Sequence, residues 1–599
     1  MGMLNNRLAE PESDSGPKFR ERRAYGPWAM FKQLSSRQWL YLPRLFSPKE
    51  QILLAALAAV ALTAGGLLLI RLALSITIPA PAVGGTFREG TLSEPRFINP
   101  LFTSNDTDRD LANLVFSKII RYDRNGNIVM DLAERIEVSD DGRSYTAFLR
   151  SGVRWHDGEA FSSSDVVFTI KAIQDPEYKS PLRPNWQGVA VEKVDEATVR
   201  FTLRQPYAPF MENLAVDILP EHLWRKIPRD SALLSDLNIK PVGTGPYRFK
   251  KLARREDGTI TSVVLERYKD YHLDGPYVKE IRFSFYPAET DLVTAYRRND
   301  IDGLVLFSSA QSEELERLDV EFHPLRLPKI FAVFLNAAAN PILGRISVRQ
   351  ALAAAIDRKV IIENTVAGSG IEVNSAIPPG SFGFAEDIPP IEYDPGAARK
   401  ILADDGWKDA DGDGIMEQSE GSGRQRTTRK LEILIVTSDA PELASAAELI
   451  AQMWRAIGVR TEVKTMAISD LETAMIRPRA YEALIFGEVF GHDPDPFAFW
   501  HTSQLKDPGL NIALYSNPSV DRLLEEARRT TDTESRALNY REFQRIVSRE
   551  IGAIFLYSPT HTYVTRKSIK GVNIGAVTRP EERFNEINAW YIDTRRALR

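Results

Sequence analysis

Nineteen consecutive residues without a charge, "ILLAALAAVALTAGGLLLI" from Ile52 to Ile70, set the first limit on what this chain can be. At roughly 1.5 Å per helical residue the run reaches about 28 Å, close to the ~30 Å hydrocarbon layer of a bilayer. It has no polar face, as a core helix of a soluble domain would. Lys32, Arg37, Arg44 and Lys49 precede it, in an arm (1–49) with nine Lys or Arg against four Asp or Glu, whereas the far side offers little beyond Arg71 and Arg88. That asymmetry predicts a cytoplasmic N-terminus and an extracytoplasmic remainder, with Arg71 snorkelling to the headgroups. "APA" at Ala80 to Ala82 resembles a signal-cleavage site, but the basic region and the apolar run are both long for a signal peptide. The reading is therefore a basic arm (1–50), a retained anchor (51–78) and a short linker, "PAPAVGG" (79–85).

The 599 residues exceed what one hydrophobic core organises. A net charge of −5 gives no reason to expect nucleic acid as a partner, and the absence of cysteine leaves neither disulfides nor a lipidated thiol to act outside the membrane. Strand signals alternate apolar and polar residues in "GTFREG", "SYTAFLR" (144–150), "TVRFTLR" (198–204) and "EIRFSFY" (280–286). "DRDLANLVFSKII" has helical spacing, and Ser162-x-x-Asp165 is a capping pattern opening another helix. Further on, "SVRQALAAAIDRKVIIENTVAG" is expected to be helical from a Ser347 cap to a stop at Gly368, and Asp394, Pro395 and Gly406 punctuate a second helix. "LEILIVTS", an amphipathic helix and "VRTEVKTM" then make a crossover unit on a parallel sheet. The next strand, "YEALIFGEVF", runs into "GHDPDPFAFWHT", and crevices beyond the carboxyl ends of strands are where open α/β sheets hold ligands.

Four motifs carry candidate chemistry. His156 and Asp157 in "WHDGEAF" are accounted for by an Asp-Gly turn. "GTGPY" (243–247) lacks the lysine of a phosphate loop and reads as tight-turn geometry. "DADGDGIMEQSE" places Asp409, Asp411, Asp413, Gly414 and Glu420 at calcium-loop spacing, a candidate structural Ca2+ site, although no exiting helix follows; the bland reading is an acidic surface turn. In "FGHDPDPFAFW", Pro494 and Pro496 should stiffen the loop and push the residues before them toward extended geometry. Phe497, Phe499 and Trp500 offer apolar wall or core. His492 and His501 are too far apart, with no cysteine near, for a transition-metal site.

Six stretches in order, "FINPL" (97–101), "DLAERIEVSDDGRSYTAFLR" (131–150), "LRSGVRWHDGEAFSSSDVVFTI" (149–170), "PVGTGPYRFK" (241–250), "ISVRQALAAAIDRKVI" (346–361) and "YDPGAARKILADDGW" (393–407), resemble the extracytoplasmic solute-binding proteins of peptide-type ABC transporters, the oligopeptide, dipeptide and nickel-binding group. The resemblance implies a two-lobed α/β periplasmic-binding-protein fold: lobe I at 86–324 with an extra subdomain near 128–215, lobe II at 325–552, and a return to lobe I at 553–599. It implies a membrane-anchored binding protein that needs no cofactor, captures peptides or a similar small solute in the interlobe cleft, and partners an ABC permease and ATPase. The ligand is expected between Thr103, Ser104, Asn105 and Asp106 on lobe I and Phe490, Gly491, His492, Asp493 and Asp495 on lobe II, with Phe497 and Trp500 as wall. Relatives carry an acid for the ligand's amino terminus where this chain has His492, so the adjacent Asp493 is the nearest carboxylate for that role. A sensor or chaperone on the same fold is the alternative. An exported hydrolase using Asp493 and Asp495 is a third, without HExxH, GxSxG or a nucleophile–base set to support it.

Overall fold

The computed structural model describes residues 47–306, 312–420 and 427–598. It divides into two units, Met1–Ala80 with Arg596–Arg599, and Pro81–Arg595. The described part of the first is dominated by one helix, Pro48–Ile76, whose side chains are unburied. Pro48 occupies its first turn and the Glu50 carboxylate accepts from the Ser47 amide at 2.8 Å. The helix outruns the charge-free stretch at both ends. It is the one candidate membrane span among the described residues.

The second unit is organised by a 12-stranded mixed sheet that runs through both lobes. One long strand, Ile554–Arg566, spans both lobes. Its first half pairs with Lys329–Leu335, and its second half pairs with Gly303–Leu306 on one side and Val320–Arg326 on the other. Two adjacent strand passages thus carry the chain between lobes, a connection that can bend without unfolding either core. In lobe I, Gly84–Leu92 lies parallel to Val278–Tyr286, which continues antiparallel into Ile260–Arg267 and Tyr247–Arg254. The first of these strands begins at Gly84, one residue before the expected "GTFREG", so the glycine pair read as the end of the linker already belongs to the sheet. The extra subdomain is a four-stranded antiparallel sheet, with Ser144–Leu149 and Thr198–Thr202 central, packed on helix Ser163–Gln174. That helix opens with the Ser162/Asp165 capping box.

In lobe II, Glu432–Ser438, helix Pro441–Ala456 and Arg460–Met466 form the expected parallel crossover, and Ala483–Val489 joins the same sheet beside Lys329–Leu335. Helices fill both faces, giving two cores around Trp407 and Trp454 on one side and Trp500 and Phe543 on the other. The expected helix from Ser347 to Gly368 is in fact two, Ile346–Ala354 and Arg358–Val366. The break falls at Asp357, whose carboxylate accepts from the amides of Lys359 and Val360 and so starts a new helix, and Ser347 caps nothing.

The glycines of "GTGPY" have a physical reason. A Cβ on Gly243 would lie 1.9 Å from the Val115 carbonyl oxygen, and one on Gly245 would lie 2.6 Å from the Val115 carbonyl carbon. Only glycine lets this turn press against the end of helix Asp106–Val115. His156 clips the same turn, with Nδ1 accepting from the Gly243 amide at 3.2 Å and Nε2 donating to the Gly245 carbonyl at 3.0 Å. Burial pushes its pKa down to about 4, so the clip is neutral.

Candidate functional site

The strand Ala483–Val489 releases the chain into the cleft, and the next six residues cross to lobe I. Phe490 anchors the loop, buried against Phe499 with its amide bonded to the Pro328 carbonyl at 2.9 Å. Gly491 follows because the Glu212 carboxylate of lobe I sits on it; a Cβ there would lie 1.9 Å from Glu212 Oε1. The next two amides then point at that carboxylate, His492 N to Oε1 and Asp493 N to Oε2, both at 3.1 Å. The His492 ring stacks on Tyr122 at 3.7 Å between centroids, and its Nε2 lies 3.1 Å from both Glu582 oxygens.

The two loop acids are claimed from within lobe II. Asp493 pairs with Arg536, and Asp495 pairs with Arg528 at 2.6 Å while accepting from the Tyr207 hydroxyl of lobe I at 3.0 Å. Asp493 is therefore not the free carboxylate expected for a ligand's amine; its charge is already matched by a guanidinium on helix Thr533–Glu550. Asp495 also departs from expectation. Pro496 should hold it extended, yet its φ is +31°, a left-handed conformation fixed by the Arg528 fork and the Tyr207 hydroxyl. Phe497 is sandwiched between His501 (3.9 Å) and the Arg528 guanidinium (3.7 Å), and Trp500 is fully buried in the lobe II core. Neither lines the main cleft cavity, because helix Phe497–Trp500 turns both back into the lobe.

On lobe I, Thr103 lines that cavity, but the next three residues serve the helix behind it. Ser104 donates to Asp108, Asn105 caps Asp106–Val115 by accepting from the Asp108 amide at 2.8 Å, and Asp106 pairs with Arg109. Asn105 and Asp106 line a neighbouring hollow of about 270 Å³.

The cavity itself, about 380 Å³, is walled by both lobes. Beyond the loop, its charged residues are Arg109 and Lys118 on the segment read as helical, Arg121 after it, and, from segments that no motif marks, Glu212 and Asp217 around the end of the extra subdomain and Arg579, Glu581 and Glu582 near the C-terminus. The only sequence signal for the latter is the charge-dense "RPEER" at 579–583. Arg583 fixes that turn from beneath, wholly buried against Asp110 (2.6 Å) and Glu89 (2.9 Å), with the Tyr563 hydroxyl on Glu89 at 2.8 Å. Burial, reinforced by the Asp493 charge, pushes the Glu212 carboxyl up to about 7 against the pull of the loop amides, and burial does the same for Glu581. For Glu582 burial is the largest single influence and pushes the carboxyl up, but the His492 contact, the Thr578 amide and the Arg579 charge together outweigh it and hold the carboxyl below its usual range.

The acidic loop lies apart from this cleft among exposed residues. Asp409, Asp411 and Asp413 bring carboxylate oxygens within 4.8 Å of one another. Those oxygens also accept from the loop's own amides, at Gly412, Asp413, Gly414 and Ile415, and Lys430 bridges Asp411 and Asp413. Glu420 continues a strand, Glu417–Glu420, and its side chain lies outside the described residues.

Residues 127–509 match the family described as bacterial extracellular solute-binding proteins, family 5. The chain is 26% identical to the oligopeptide-binding protein AppA of Bacillus subtilis over 86% of its length and 92% of that protein, and 26% identical to the dipeptide-binding protein of Escherichia coli over 86% and 96%. The solved structure of AppA in complex with a nonapeptide superposes with a TM-score of 0.66, covering 86% of this chain and all of that one. NikZ of Campylobacter jejuni in complex with Ni(L-His) gives the same score at 26% identity, over 84% and 99%. A two-lobed fold with a cavity walled by both lobes, and a family match across most of both lobes, lead to one statement: the chain belongs to the family 5 bacterial extracellular solute-binding proteins.

Proposed function

We propose that this protein captures peptides in the cleft between its lobes and delivers them to an ABC permease and its ATPase, held at the outer face of the membrane by helix Pro48–Ile76 with the basic arm in the cytoplasm. The observation that carries the reading is the cavity of about 380 Å³ whose walls come from both lobes, so that a ligand bridging them stabilises the closed form. A peptide suits such a site: backbone hydrogen bonds give affinity, and the walls read only charge and size. The AppA and E. coli relatives, named for oligopeptide and dipeptide binding, support the same class of cargo.

Ligand contact then falls to Thr103 and the loop Gly491 to Asp493, whose amides at His492 and Asp493 are held by Glu212, with Tyr122 and Arg579 lining the same cavity. Mass spectrometry of small molecules released from the purified full chain, followed by calorimetric titration with the peptides found, tests this. Recovery of peptides that rebind with a one-to-one stoichiometry supports it. Recovery of a non-peptide solute that binds while peptides do not overturns it.

A further inference from the structure

The first unit holds more than its helix. The chain leaves Ile76 directly as a strand, Thr77–Pro81, whose partner in a two-stranded sheet is Thr594–Leu598. Arg596 Nη1 donates to the Thr77 carbonyl at 3.2 Å, across 519 residues of sequence. Beyond the charge-free run, residues 71–76 add about 9 Å of helix, against a headgroup layer of roughly 5–7 Å. The strand pair therefore begins where lipid phosphates meet water.

What it presents there is basic and apolar. Arg71, Arg595 and Arg596 are exposed, and none pairs with a carboxylate among the described residues. Asp593 is the one acid within 71–83 and 592–598, and its carboxylate rests on Gly84, where a Cβ would lie 1.9 Å from Oδ2. Ile76, Ile78 and Leu598 are 49%, 44% and 77% exposed. Arg596 and Leu598 stand two apart on one strand and so share a face, the combination of cation and apolar side chain that interfacial segments use. Two strands alone are marginal in water, so a surface to lie on stabilises them.

The prolines decide what kind of surface. The Ala82 amide bonds the Asp593 carbonyl at 2.9 Å, and backbone amides alternate between the two edges of a strand. Pro79 and Pro81 therefore fall on the edge turned away from the partner strand, where they supply no N–H. That edge cannot donate to an added strand, which disfavours a protein partner docking by strand addition.

We propose that strand Thr594–Leu598 is a second membrane contact, in which Arg595 and Arg596, with Arg71 on the helix, bind phosphates of anionic phospholipids while Leu598 and Ile78 enter the interface. This rests on reading Pro48–Ile76 as a retained anchor. The span's neighbours in sequence hide the contact, because two of its three arginines arrive from the far end of the chain. Its attraction is electrostatic, so it weakens with salt.

The test uses the full chain in nanodiscs of phosphatidylcholine alone or with roughly one-third phosphatidylglycerol. The chain lacks cysteine, so Leu598→Cys takes a single fluorophore, and acrylamide, an uncharged quencher, reports its exposure. Quenching should fall roughly two- to fivefold with the anionic lipid and recover in about 0.5 M salt. Replacing both arginines, Arg595→Gln with Arg596→Gln, should abolish the difference between lipids. Equal quenching in the two lipids, or shielding that survives loss of both arginines, overturns the contact. Shielding absent from the discs but present in native membranes assigns the strand to a protein partner and also overturns it. A label on Leu62→Cys separates this from the anchor. If it is shielded while the Leu598 label stays open, only the contact fails; if acrylamide reaches it, the anchor fails and the contact with it.

Discussion

Gly491→Ala probes how the lobes are held together without touching either core. The glycine's φ is not left-handed, so alanine fits the backbone, but its Cβ would meet Glu212 Oε1 at 1.9 Å and Cδ at 2.5 Å. Those atoms end a flexible side chain, so Glu212 swings away and the loop survives. What is lost is the pair of 3.1 Å bonds from the amides of His492 and Asp493. A hydrogen bond to a charged group contributes about 1.5–3 kcal/mol. Both the amides and the carboxylate recover water once apart, so we set the net cost to closure at about 1.5–3 kcal/mol for the pair. Because ligand affinity scales with the population able to close, binding should weaken roughly tenfold to hundredfold. The assay is calorimetric titration with a co-purified peptide, beside thermal melting of the same preparation. Melting should be unchanged, since Gly491 contacts neither lobe core. Unaltered affinity would refute the reasoning outright, and a lower melting temperature would mean that the loop belongs to the fold and not to the latch.

Gly243→Ala should destabilise lobe I by several kcal/mol, because its Cβ collides with backbone that cannot step aside; urea unfolding checks it against Gly380→Ala, where no atom lies within 4 Å and only the positive φ of +84° is strained. For the loop at Asp409, Asp411 and Asp413, calcium must displace Lys430, so millimolar calcium should raise the melting temperature of Lys430→Gln more than that of the wild type; no response in either reduces the loop to an acidic turn. Protease added to intact cells should remove the large domain and spare the basic arm, and release of the domain without protease would point to cleavage after Ala82 instead.

Local rules reached the elements and the loop but not the site's partners. Period-two alternation located Ser144–Leu149 and Val278–Tyr286, and the Asp394–Pro395–Gly406 punctuation located helix Pro395–Asp404, because each signal lies within one element. The helix broken at Asp357 was missed because the apolar spacing continues across the break while a single carboxylate restarts the hydrogen bonding. At the site, the strand end predicts that the chain enters the cleft at this point, and Phe490 to Asp493 and Asp495 line its cavity, whereas the proline rule fails at Asp495. The fate of each acid was set elsewhere: Arg536 lies 43 residues beyond Asp493, and Glu212 lies 280 before His492. No periodicity encodes such pairings. Trp500 was equally open between wall and core, and the lobe II core claimed it.

The one acid on strand Ala483–Val489 makes the last prediction. Glu488, opposite Ile330, points into the lobe II core beside Trp500 and is 3% exposed, with Oε1 lacking a well-formed hydrogen bond. Burial pushes its pKa up to about 8 from an ordinary 4.5, the indole opposing only in part, so the folded protein keeps it protonated at neutral pH. The unfolded chain releases that proton from about pH 4.5 upward. Stability from this group is therefore full below pH 4.5 and declines as pH rises to about 8. At about 1.36 kcal/mol per pK unit the decline amounts to roughly 3–5 kcal/mol. Glu488→Gln keeps the shape and removes the proton, so it should sit near the wild type at pH 5 and be more stable by a few kcal/mol at pH 8.5. Urea unfolding of lobe II at the two pH values measures this, and parallel pH profiles would mean that water or a rearranged Trp500 already solvates the acid. The consequence reaches the cleft, since the loop departs two residues later at Phe490. Ionisation of Glu488 above pH 8 loosens the floor under Gly491 to Asp493, so peptide affinity should fall there in the wild type and hold in Glu488→Gln.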